Sequence, residues 1–149
     1  MSRPVKVYIE TSSQIGRIKS GAYVYLLEYI LKNGEPYTKD GKASVPDTTK
    51  DRLTLMAMTE ALARITSKDT PVVFIPSDKG IVHIINNGWH VRWKENGWKG
   101  SNNGTVKNAD LWERFMELSE GRDITLAEEF NSYGKIMRKE VKEIQNADD

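Results

Sequence analysis

The chain opens on alternating positions, Val5-Lys-Val-Tyr-Ile9, with apolar β-branched residues at every second place, the pattern of a strand. Gln14 to Ser20 is polar and contains Gly16, which reads as a turn. Gly21 to Leu31 is dense in Tyr, Leu, Val and Ile and reads as a second strand. Asn33-Gly34 is a strong hairpin signal. It returns a third strand somewhere in Pro36 to Val45, whose extent Asp40-Gly41 complicates. The period then changes. Pro46-Asp47-Thr48-Thr49 offers capping side chains, and Leu55, Met58, Leu62 and Ile65 recur at helical spacing, which predicts an amphipathic helix from Thr49 to about Thr66. Pro71-Val-Val-Phe-Ile75 is short and continuously apolar, as a buried central strand should be. Ser77-Asp78 begins a short helix broken near Asn86-Asn87-Gly88, and a second short helix carries Trp89 and Trp93 on one face. Asn108 caps a further helix with Leu111, Trp112, Phe115 and Leu118 inward and Gly121 at its end. Asp123 to Leu126 is a last short strand, and Ile136, Val141 and Ile144 mark a closing helix from about Asn131.

This order, β-β-β-α-β-α-α-α-β-α, predicts an α/β protein with a five-stranded mixed sheet, three strands antiparallel and two parallel, flanked by helices. With no repeat, low-complexity block or linker, residues 1–149 are expected to form a single domain. Apolar content of 38% and charged content of 29% suit a soluble globular protein. No apolar run approaches the roughly 18 residues that span a bilayer, and the N-terminus lacks the apolar core of a signal peptide, so a cytoplasmic protein without a membrane partner is expected. Zero cysteines exclude disulfides and thiolate metal sites.

A net charge of +1 does not make the whole molecule a magnet for nucleic acid, but the charge is uneven. From Trp89 to Asn108, Arg92, Lys94, Lys99 and Lys107 stand against the single acid Glu95. All four tryptophans lie between Trp89 and Trp112. Indoles spaced four and five apart beside basic side chains point to a surface that meets a polyanion. Helical spacing also makes Trp89, Trp93 and Trp112 candidates for mutual packing, leaving Trp98 and the four basic residues to make contact.

The run Trp89-His-Val-Arg-Trp93-Lys-Glu-Asn-Gly97-Trp98-Lys99, followed by Lys107-Asn108-Ala109-Asp110-Leu111-Trp112, resembles the handle region of ribonuclease H type 1. The resemblance runs from about Val5 to Val141 and is tightest from Trp89 to Arg114. It implies a ribonuclease H-like fold and hydrolysis of the RNA strand of an RNA–DNA hybrid by two divalent metals on four carboxylates, assisted by a histidine. Two such ions sit roughly 4 Å apart and need clustered hard oxygen ligands. The first carboxylate of the resemblance falls on Glu10, in Ile9-Glu10-Thr11-Ser12, where the family has Asp. The third falls on Asp78, after Phe74-Ile-Pro-Ser77, and could equally be a plain helix cap. Glu10 and Asp78 are therefore the candidate catalytic residues and metal ligands. The second position, in Arg52-Leu53-Thr54-Leu55-Met56-Ala57, is Thr54, which reads as a half-buried helix residue; Asp51 on the same face is a partial substitute. The fourth falls on Lys135 or Lys139, and the histidine loop is missing. Glu140, Glu128 and Glu129 are shifted substitutes.

The resemblance thus implies a nucleic-acid-binding protein, recognising RNA–DNA hybrid or another duplex through Arg92, Lys94, Trp98, Lys99, Lys107 and Asn108. Two-metal hydrolysis would be impaired and Mg²⁺ or Mn²⁺ held weakly or not at all. The alternatives are an active ribonuclease H with a rearranged carboxylate site, and an interaction scaffold that no longer binds nucleic acid.

Overall fold

In β1 (Val5–Thr11), Val7 and Ile9 enter one apolar cluster and Tyr8 the other, so successive residues feed opposite faces of the sheet. The same division holds in β2 (Ile18–Ile30), where Tyr23, Tyr25 and Leu27 join one cluster and Ala22 and Val24 the other. The computed structural model describes residues 3–102 and 104–147. After β2 come β3 (Pro36–Thr48), α1 (Lys50–Arg64), β4 (Val72–Pro76), α2 (Lys79–Asn86), α3 (Trp89–Glu95), α4 (Ala109–Ser119), β5 (Ile124–Leu126) and α5 (Gly134–Ala147). They form one sheet in the order β3-β2-β1-β4-β5. The β1–β2 and β2–β3 pairs are antiparallel, and β1–β4 and β4–β5 are parallel. This is the mixed sheet expected from the element order.

Helix α1 and the α2 and α4 helices cover the larger cluster, while Met137 and Val141 of α5 close the smaller one on the opposite face. At the hairpin, Gly34 takes φ 86° and the Asn33 side chain accepts from Glu35 N, so the turn residues act as their chemistry predicts. Strand β3 runs straight through Asp40-Gly41 to Thr48, beyond the expected end at Val45. Gly41 pairs with Tyr25, and the absence of a Cβ leaves room for the Tyr25 ring. That phenol accepts a 3.1 Å hydrogen bond from Arg64, which also donates to Asp40 O. In α5 it is Met137, not Ile136, that turns inward, and Ile136 is exposed. No helix among the described residues is long and apolar enough to cross a membrane.

Candidate nucleic-acid interface and metal site

The β1–β4 pairing brings two acids together at one end of the sheet. Ile9 pairs with Pro76 across parallel strands, and Ser77 N continues the ladder by donating to Ile9 O. Glu10 follows Ile9, and Asp78 follows Ser77. Carboxyl ends of parallel strands are where ligands collect in open α/β sheets. Both acids are buried.

Glu10 shares its side of β1 with Tyr8, so it faces α5. Its Oε2 accepts from Asn131 Nδ2 at 3.1 Å and lies 3.7 Å from Arg138 Nη1. Burial pushes the Glu10 carboxyl above its ordinary value, while Asn131, Arg138 and Lys50 pull the other way. Asn131 is itself fixed at the start of α5, its Oδ1 accepting from Tyr133 N. The cation meeting Glu10 is thus Arg138, not Lys135 or Lys139, both of which are exposed. Of the shifted acids, Glu129 is paired to Lys6 at 2.7 Å, Glu140 to Lys42 at 3.5 Å, and Glu128 joins Glu129 and Phe130 around a separate cavity.

Asp78 does cap α2: its Oδ1 accepts from Gly80 N at 2.9 Å and Ile81 N at 3.4 Å. Its Oδ2 is buried, with no donor among the described residues unless the neighbouring Asp51 carboxyl holds a proton. Asp51, in the first turn of α1, leans on it. Hydrogen bonding to Asp78, then burial and the Asp78 charge, pushes the Asp51 carboxyl up to about 7. Thr54 is fully buried rather than half-buried, and its hydroxyl donates to Lys50 O one turn back. Asp51 thus stands beside Asp78 from the first turn of α1, while Thr54 turns into the core.

Two like charges pressed together give a pH dependence. The folded Asp51 carboxyl titrates above its unfolded value of 3.8, so the fold holds the extra proton between about pH 4 and 7 and loses stability as pH rises through that window. Asp51→Asn is expected to exceed the parent in stability at pH 8, with the gap closing towards pH 4. Because Asp51 keeps contact with solvent, water screens the effect. Urea midpoints at the two pH values check it, and an equal gap at both would refute the pairing.

The two halves differ in their fitness for a divalent cation. On the α1 side, an orphaned buried Asp78 oxygen beside a second carboxylate is a donor set that such an ion fits. On the α5 side it does not fit, because Asn131 and the Arg138 guanidinium already meet Glu10 Oε2. No group of three or more His, Asp or Glu among the described residues converges as a cage.

The basic projection begins where Gly88, at φ 69°, breaks α2 from α3. Its aromatic rings form a chain into the core: Trp89 to Trp93 at 6.4 Å, Trp93 to Trp112 at 6.0 Å, Trp112 to Phe115 at 6.3 Å, Phe115 to Phe74 at 6.0 Å. Trp112 is buried, Trp93 half-buried, and Trp89 exposed, so the expected packing of three indoles weakens outward. Gly97 and Trp98 both take positive φ, and Trp98 N donates to Trp93 O at 2.7 Å. Trp98, expected as a contact residue, rests partly against the core. Lys94, Lys99 and Lys107 are exposed, whereas Arg92 spends a guanidinium nitrogen on Asn87 O. Asn108 sits at φ 62° without capping α4 through its side chain; its Oδ1 instead accepts from Arg52. Arg52 also forks onto Asp110 at 2.9 and 3.1 Å, locking the start of α4 to α1. A cavity of about 420 Å³ lined by Asp51, Trp93, Lys107, Asn108 and Trp112 runs from Asp51 to this projection.

A β3-β2-β1-β4-β5 sheet with acids at the ends of its central parallel strands and a Trp-bearing basic projection beside them defines the ribonuclease H-like class of folds. The family model described as RNase H matches residues 2–128, and the chain belongs to that family. It is 37% identical over 126 residues to a Ribonuclease H of Chlorobium phaeobacteroides, covering 84% of this chain and 81% of that one. To a Ribonuclease H of Lachnoclostridium phytofermentans it is 29% identical over 121 residues, covering 81% and 76%. Among solved structures, LC9-RNase H1, described as a type 1 RNase H with the type 2 active-site motif, superposes with a TM-score of 0.79 at 23% identity, covering 99% of this chain and 74% of that one. A foamy viral protease–reverse transcriptase in complex with RNA/DNA hybrid shares the fold with a TM-score of 0.70 at 13% identity, over 98% of this chain and 20% of that one. Members of this family generally use divalent metal ions.

Proposed function

We propose that the chain acts as one cytoplasmic domain that binds a nucleic-acid duplex, RNA–DNA hybrid foremost, through the face carrying Lys94, Trp98, Lys99 and Lys107, with Arg92 and Asn108 supporting it. Two-metal hydrolysis in the usual family arrangement is impaired. The observation that carries this reading is the state of two positions in the cleft: Glu10 is met by Arg138 and Asn131, and Thr54, where the resemblance has a carboxylate, is buried and bonded to its own helix. The exposed lysines are intact, and phosphate contacts by such groups supply most duplex affinity. The fold neighbour seen with an RNA/DNA hybrid supports the choice of ligand.

A second reading, an active enzyme with a rearranged site, is favoured by the unpartnered Asp78 oxygen beside Asp51. An ion held there would polarise a phosphate oxygen and lower the pKa of a bound water. One experiment separates the readings. Purified protein free of host nuclease is titrated with hybrid at several salt concentrations, then incubated with Mg²⁺ or Mn²⁺. Salt-dependent binding without multiple-turnover cleavage is expected. Multiple-turnover cleavage abolished by Asp78→Asn would replace the first reading with the second. Absence of any salt-dependent binding would leave an interaction scaffold.

A further inference from the structure

On the α5 side of the cleft, three cations surround one carboxylate whose charge is already answered. Lys50, Arg138 and Lys142 line a recess of about 370 Å³ with Glu10, and Ser13 and Ser77 add hydroxyls. Glu10 is met by Asn131 and Arg138. Lys142 has no hydrogen bond or ion pair among the described residues, so the recess holds two positive charges beyond those Glu10 balances. Like charges gathered in a concave surface focus a field that favours an anion.

Arg138 lies over Gly134 on the same face of α5. Gly134, one turn earlier on α5, leaves the space it uses: a Cβ there would stand 2.6 Å from Arg138 Nη1. The Arg138 side chain is nevertheless 58% exposed, so its planar fork keeps N–H groups for a second acceptor. Lys142 and Gln145 also border a larger neighbouring cavity with Lys19 and the Arg17–Asp47 ion pair, where Lys19 extends the positive charge beyond the recess.

We infer that this recess binds a backbone phosphodiester of the nucleic-acid strand directly, through Arg138 and Lys142 with the half-buried Lys50. The recess borders Glu10, the position on which the resemblance places the first carboxylate. The inference rests on the duplex-binding reading and concerns the half of the cleft that a divalent cation does not fit.

Hybrid affinity of the 149-residue chain, measured by anisotropy across a salt series, tests it. Arg138→Ala and Lys142→Ala are each expected to weaken binding about fivefold at 0.1 M salt and to reduce the slope of log affinity against log salt by about 1. Arg138→Lys should restore part of the affinity. Lys68→Ala, exposed in the turn that precedes β4 at the far end of the sheet, is the control. Equal affinities for Arg138→Ala and the control would overturn the inference. Losses of the same size on hybrids with and without a terminal phosphate support a backbone site; a loss confined to the phosphorylated hybrid overturns it. If the parent protein binds no hybrid, the duplex reading falls separately. Inorganic phosphate titrated into labelled protein then decides the pocket: saturable amide shifts at Ser13 and Ser77, absent in Arg138→Ala, support it, and no shifts overturn it.

Discussion

Trp112→Ala is expected to cost about 3–5 kcal/mol of stability, the range for removing a large buried aromatic from a core. Trp112 is 2% exposed and sits at the junction of three other rings. Its ring meets Trp93 at 6.0 Å, His90 at 5.6 Å and Phe115 at 6.3 Å. The Trp93 and Phe115 contacts are edge-to-face and contribute beyond the area they bury. Loss of the indole would empty the space between α3 and α4 and disconnect the basic projection from β4. His90 sharpens the effect: burial holds its imidazole below the ordinary value, so it stays neutral against the ring, and opening the site to water would release it. Trp112→Phe should recover part of the loss. Guanidinium denaturation followed by circular dichroism measures both variants. A loss under about 1 kcal/mol for the alanine variant would mean that the projection is not anchored here.

The largest effect on binding is expected from reversing the exposed lysines together. Lys94→Glu, Lys99→Glu and Lys107→Glu turn three positive positions negative without touching a buried side chain. If each contacts a phosphate, the combined variant should lose about a thousandfold in hybrid affinity at 0.1 M salt, and its salt slope should fall by about 3. Circular dichroism should be unchanged. An affinity within threefold of the parent would move the interface elsewhere on the molecule.

Much of this architecture is legible in the residue pattern because each element declares itself locally. Period-two apolar positions, the Asn33-Gly34 turn and the 3.6-residue spacing after Thr49 act within a few residues of one another. Strand β3 was harder to delimit because Gly41 looks like a breaker until Tyr25, its cross-strand partner, is placed beside it. Ile136 and Met137 illustrate the limit of periodicity: adjacent apolar residues leave the helix phase ambiguous, and only the sheet selects Met137. The cleft was less legible for the same reason. Asp51 meets Asp78 across 27 positions, and Asn131 and Arg138 reach Glu10 across more than a hundred. Spacing cannot report such meetings, and alignment with a family motif directs attention to the motif's own positions, Thr54 and Lys135 or Lys139. A helical reading of Gly134, Arg138 and Lys142 at four-residue intervals would have shown that they share one face of α5, with Asn131 just ahead of it.

Strand β3 forms one margin of the sheet and is exposed over most of its thirteen residues. Such a margin invites a foreign strand to add itself. Pro36 and Pro46 remove an N–H near each end, and Lys39 and Lys42 place charge along the middle. A partner seeking main-chain hydrogen bonds meets a margin poorly suited to supply them. Recognition by strand addition is thereby discouraged along the longest open backbone of the protein, and side-chain chemistry at the opposite reaches of the fold is left to choose what binds.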